Sequence, residues 1–100
     1  MAKSLHDKIA EKIAKKFGTK YKSDIGIDIV DKKRKRVIEV EIKKDSLYQG
    51  IKQVERSPMA RYLSVPSSLS NKAINLTKNS GIGVMDENGN ILKKASRKKC

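Results

Sequence analysis

Hydrophobic positions change their spacing several times along the chain, and each change marks an element. Leu5, Ile9, Ile13 and Phe17 recur every four residues with Ala10 and Ala14 beside them, the stripe of an amphipathic helix over 4–17. Ser4 followed by Asp7 is a capping-box variant that starts it, and Gly18 stops it. Lys20 to Ser23 reads as a possible short strand. Ile25, Ile27 and Ile29 then alternate with Gly26, Asp28 and Val30, a strand period of two. The run 32–36 makes a turn, and alternation resumes from Val37 to Lys43, with Ile38, Val40 and Ile42 on one side and Glu39, Glu41 and Lys43 on the other.

The second half alternates helix and strand. Leu47, Ile51 and Val54 define a helix over 47–56, which Ser57-Pro58 ends. Residues 60–65 are rich in strand formers and close on Pro66. Leu69, Ala73 and Leu76 define a helix over 69–78, and 81–85 reads as a strand. Asn88-Gly89 predicts a two-residue hairpin turn into Ile91-Leu92. The order predicts an α/β domain, a mixed central sheet with helices packed on it. One domain over 1–92 is expected, followed by a basic disordered tail over 93–100.

Composition narrows the function. Among 100 residues, 24 Lys and Arg against 11 Asp and Glu leave a net charge of +13, beyond what solubility needs, and point to a polyanion. Hydrophobic residues at 37% are enough for a modest core. A core of this size is marginal alone, so a homodimer is plausible. No apolar run nears the ~20 residues of a membrane span, and the first residues lack a secretory leader, so a cytoplasmic protein without membrane contact is expected. The single cysteine, Cys100, excludes an intrachain disulfide and a cysteine zinc cage. The unbroken block Lys32, Lys33, Arg34, Lys35 and Arg36 suits contact with DNA phosphates. With three Tyr and one Phe, a small RNA-associated protein reading bases by stacking is disfavoured.

The acidic residues run against this background. Asp24, Asp28, Asp31, Glu39 and Glu41 cluster inside a basic chain. Paired in a hairpin, the two strands would put Asp28, Glu39, Glu41 and Lys43 on one open face, opposite the helix-facing isoleucines. Salt bridges or a hydrated polar face explain such a cluster. So does a divalent metal held by hard carboxylate oxygens. Such a metal polarises a phosphoryl oxygen and acidifies a bound water.

Gly26-Ile27-Asp28-Ile29-Val30 and Val37-Ile38-Glu39-Val40-Glu41-Ile42-Lys43 resemble the two motif strands of the PD-(D/E)XK nuclease superfamily, whose fold is restriction-endonuclease-like. Tyr48-Gln49-Gly50-Ile51-Lys52-Gln53 resembles the helix that follows them, and the element order over 4–92 is similar to that of archaeal Holliday-junction resolvases and small phage and archaeal nucleases. The resemblance implies a restriction-endonuclease-like sheet and a Mg²⁺-dependent endonuclease, with Mn²⁺ as the other usable cation, acting on structured or branched DNA. It implies Asp28, Glu39 and Glu41 as metal ligands, with Lys43 and Gln53 as further catalytic residues. Ile27 stands where the family has Pro. Two registers stay open: Glu39-x-Glu41, with Lys43 standing in for the lysine, and Glu41-x-Lys43. A catalytically inactive DNA-binding protein on the same scaffold is the alternative. His6 lies within the apolar face of the first helix and Asp7 at its margin. They are either packed and capping residues or reach the site as the resolvase helix acid does.

Overall fold

The computed structural model describes residues 4–22 and 27–96. Ile25 and Gly26 of the expected strand, Asp24 of the acidic cluster, Ser23 of the short strand and the end of the expected tail, Cys100 included, lie outside the described residues. Three α-helices and five strands are seen among the described residues: α1 Leu5–Lys16, β1 Ile29–Asp31, β2 Arg36–Val40, α2 Leu47–Val54, β3 Ala60–Ser64, α3 Ser70–Leu76, β4 Gly83–Met85 and β5 Ile91–Lys93. Short 3₁₀ turns, Lys44–Ser46 and Ser67–Leu69, lead into α2 and α3. The expected α/β architecture, a mixed sheet flanked by helices, is what the chain adopts.

Helix α1 starts and stops where its caps put it. The Ser4 side chain accepts from the Asp7 N–H at 3.1 Å, and Gly18 takes the left-handed φ of +71° just past the last turn. Its Ile9, Ala10, Ile13 and Ala14 pack on Ile29, Ile38, Val40, Tyr62 and Met85 on one face of the sheet. The strands stand in sequence order. β1–β2 and β4–β5 are antiparallel, while β2–β3 and β3–β4 are parallel. The parallel pairs need crossovers, which α2 and α3 supply on the face opposite α1. There Val37, Leu63 and Ile82 pack with Val54, and Val65 and Val84 with Leu47 and Ala73.

Helices on both faces correct one expectation. β2 is buried at every position, as a central strand must be, so Glu39 does not lie on an open polar face. It shares the α2 side with Val37 and is 7% exposed. β2 also ends at Val40, three residues earlier than the alternation predicted. Glu41 adds one more ladder bond to Ser64 O at 3.0 Å before the chain turns away. The β4–β5 turn is longer than two residues: Asp86 N–H bonds Asn90 O, and Gly89 sits at φ +80°. Lys93 does not begin a disordered tail. It belongs to β5, and its Nζ donates to Thr77 O at 2.7 Å. The chain stays docked to Ser96, with the Ala95 N–H on the Tyr62 hydroxyl at 3.2 Å and Ser96 N–H on Gly81 O.

Candidate functional site

The C-terminal ends of parallel strands are where open α/β sheets place their ligands. β2, β3 and β4 end together here, at Val40, Ser64 and Met85. Asp28 enters β1 beside this end, and the amino-terminal turn of α1 overhangs it. His6 Nε2 stands 3.0 Å from Asp28 Oδ2. The same oxygen accepts the Val40 N–H at 2.9 Å, and Asp28's own N–H donates to Glu39 Oε1 at 2.9 Å. Asp28 and Glu39 are therefore locked across the open end of the hairpin, each holding the other's strand.

Behind His6 the network continues. Tyr21, bridged to Ile29 at the start of β1, donates its hydroxyl to Asp7 Oδ1 at 2.8 Å, and His6 Nδ1 lies 3.4 Å from that oxygen. The Tyr21 bond, helped by His6, lowers the Asp7 pKa. On the other side, α2 comes close at Gly50. A methyl group there would stand 2.6 Å from Glu41 Cγ and 3.0 Å from Leu63 Cδ2, so the glycine makes the space that Glu41 fills.

The electrostatics of these carboxylates are unusual for a chain of +13. Burial pushes Glu39 up to about 8, opposed by the Asp28 N–H bond and reinforced by the Asp28 and Glu41 charges. Burial also raises Glu41, against a hydrogen bond from Ser46 and with the Asp28 charge adding to the rise. The donor set is chemically that of a hard divalent ion, and the glycine cradle admits the third carboxylate. As placed, however, the side chains bond backbone and each other: among the described residues no three His, Cys, Asp or Glu converge on one metal position.

The other sequence candidates fall elsewhere. Lys43 is exposed, past the end of β2 and one residue before the 3₁₀ turn. Gln53 is exposed on α2, about one turn past Gly50. The basic block is at the far end of the hairpin, and it is not all surface. Lys32, Lys33, Arg34 and Lys35 are exposed, but Arg36 is 8% exposed. The Arg36 guanidinium binds Asp31 Oδ2 through Nε at 3.1 Å and stacks 4.1 Å from the Phe17 ring centroid. Arg34 also turns inward, with Nη1 on Phe17 O at 3.1 Å and on Asp31 at 3.3 Å. Arg36 is thus a structural cation, not a phosphate contact, because Asp31 opposite it in the register requires a partner.

The sequence offers His6 and Asp7 either as packing and capping residues or as site residues, and gives Tyr21 only a place in the short strand over 20–23. The available signal was positional: a His in the first turn of a capped helix, on the face that packs against the sheet. Compared with known protein families, curated proteins and solved structures, this chain matches none.

Proposed function

We propose that this chain is a divalent-metal-dependent nuclease acting on DNA, with its site at the open end of the β1–β2 hairpin. The observation that carries this reading is the crowding of Asp28, Glu39 and Glu41 where β2 ends, with Glu39 at about 8 because burial raises it and no Lys or Arg among the described residues pairs with it. A chain of +13 attracts a polyanion, and three carboxylates would repel it locally unless a cation joined them. Asp28 and Glu41 would hold Mg²⁺ or Mn²⁺, with Glu39 beside them and water completing the shell. The bound ion supplies charge to a phosphoryl oxygen and lowers the pKa of a water.

The protein's own part is orientation. The Val40 N–H and His6 fix the Asp28 carboxylate, and Gly50 gives Glu41 the space it occupies beside the strand end. Glu39 and Glu41 lie on the strand and its one-residue extension, while Lys43 lies outside, which favours the Glu39-x-Glu41 register. Cutting both strands of a duplex would require a second copy of the chain.

The absence of three converging ligands among the described residues favours the second reading, a DNA-binding protein that does not cut. The experiment is incubation of pure protein with labelled four-way junction, duplex and single strand, with and without Mg²⁺ or Mn²⁺. Metal-dependent cutting that Asp28→Asn abolishes supports the nuclease. Binding to DNA with no cutting under either metal leaves the second reading.

A further inference from the structure

A cleft of about 540 Å³ opens along the β1 edge of the sheet, between the end of α1 and the β1–β2 turn. Phe17 and Val30 give it apolar walls, and Lys20, Lys22, Lys32 and Lys33 line it. All four lysines are exposed, and among the described residues none of them pairs with a carboxylate. The one acidic residue lining the cleft among the described residues, Asp31, is 1% exposed and already bound by Arg36 and Arg34. Among the described residues, no carboxylate takes these four charges.

The lysines also have a direction. Thr19 Oγ1 bonds Val30 O, Tyr21 bridges Ile29, and Lys22 N–H donates to Asp28 O at 2.9 Å. Residues 19–22 thus run antiparallel beside β1, from the turn to the carboxylates. Lys32 and Lys33 stand at one end, Lys20 midway, and Lys22 next to Asp28. We propose that this edge is the track for one phosphodiester strand, held phosphate by phosphate on Lys33, Lys32, Lys20 and Lys22 and delivered by them to Asp28. The proposal rests on the nucleic-acid reading above and adds where the strand lies. The span from Asp31 to Asp28 is about 10 Å, more than one nucleotide of backbone. A substrate must therefore extend about that far to one side of the carboxylates, which excludes mononucleotides.

The test is the salt dependence of binding to a fluorescein-labelled duplex, with cleavage suppressed by omitting divalent metal. Each phosphate contact contributes about 0.9 to the slope of log affinity against log salt. Lys20→Gln/Lys22→Gln should flatten the slope by about 1.8, which over the decade from 1 M to 0.1 M salt amounts to about 60-fold in affinity. Lys72→Gln/Lys78→Gln removes the same charge from exposed positions on and just after α3 and should leave the slope unchanged. If the wild type binds steeply but the two double variants behave alike, the track is overturned and the nucleic-acid reading stands. If the wild type shows no salt-dependent binding, both are overturned.

Discussion

At the turn end of the β1–β2 hairpin, Asp31 is 1% exposed and holds two guanidinium groups, Arg36 at 3.1 Å and Arg34 at 3.3 Å. At the open end, Glu39 is 7% exposed, pairs with no Lys or Arg among the described residues, and is pushed up to about 8. The two ends lie one short strand apart and share the same backbone ladder. Their difference is the partner. A buried carboxylate with a cation beside it is part of the scaffold. One without a cation keeps its proton or waits for a positive charge from outside, and groups perturbed in this way gather at functional sites. The lesson is that burial does not separate structural from functional acids here, whereas charge compensation does.

The sharpest way to widen that contrast is at the open end. With Mg²⁺ present, Asp28→Asn and Glu41→Gln should each lower DNA cleavage about 10³-fold, the range for a group acting on the reacting atoms, while binding is kept or improved. Lys43→Ala, at an exposed residue outside the strand, should cost less than tenfold. A gel assay with labelled DNA reads all three. A Lys43 loss as large as that of Glu41 would restore the Glu41-x-Lys43 register.

At the turn end the expected effect is on stability. Asp31→Asn leaves Arg36 buried with its charge unmatched and its Nη2 already without a hydrogen-bond partner, so unfolding free energy should fall by about 3–5 kcal/mol. Glu39→Gln at pH 7 should not lower it and should raise it, because the wild type must take up a proton to bury Glu39 there, whereas the amide is neutral in both states and still offers an oxygen to the Asp28 N–H. Urea unfolding of both variants decides it. Equal losses would mean that the two ends are the same kind of site.

The same group shapes the pH profile. Glu39 binds its proton more tightly folded than unfolded, so its contribution is fully present below about pH 4.5 and is lost as pH rises toward about 8. Its share of the slope is at most about 1.4 kcal/mol per pH unit. Mg²⁺ favours the ionised carboxylate, so it should stabilise the protein more at pH 8 than at pH 5. Thermal melts at the two pH values, with and without metal, would show it. A metal effect independent of pH would place the ion elsewhere.

Local elements were legible in the residues because their signals are local. The four-residue stripe from Leu5 to Phe17, with Ser4 and Gly18 at its ends, specifies α1 without reference to the rest of the chain. The faces of β2 were not legible, because Glu39 alternating with Ile38 and Val40 has the pattern of a strand with one wet side. Only the crossovers of α2 and α3 reveal that both sides are covered. The alternation marks the carboxylates but not the buried environment they occupy. Arg36 is hidden for a similar reason: in a run of five cations it resembles its neighbours. Its cross-strand position opposite Asp31, on the far side of the turn, is what turns it inward. Tyr21 depends on a pairing with Ile29 that no periodicity marks.

The most direct test of the contrast between the two ends is the carboxyl titration of Glu39, followed by carbon-13 NMR with and without Mg²⁺. The account predicts a midpoint near 8 without metal and a fall of at least a full pH unit when Mg²⁺ is added. A midpoint close to the ordinary glutamate value of about 4.3 without metal, or one that Mg²⁺ leaves in place, would contradict it.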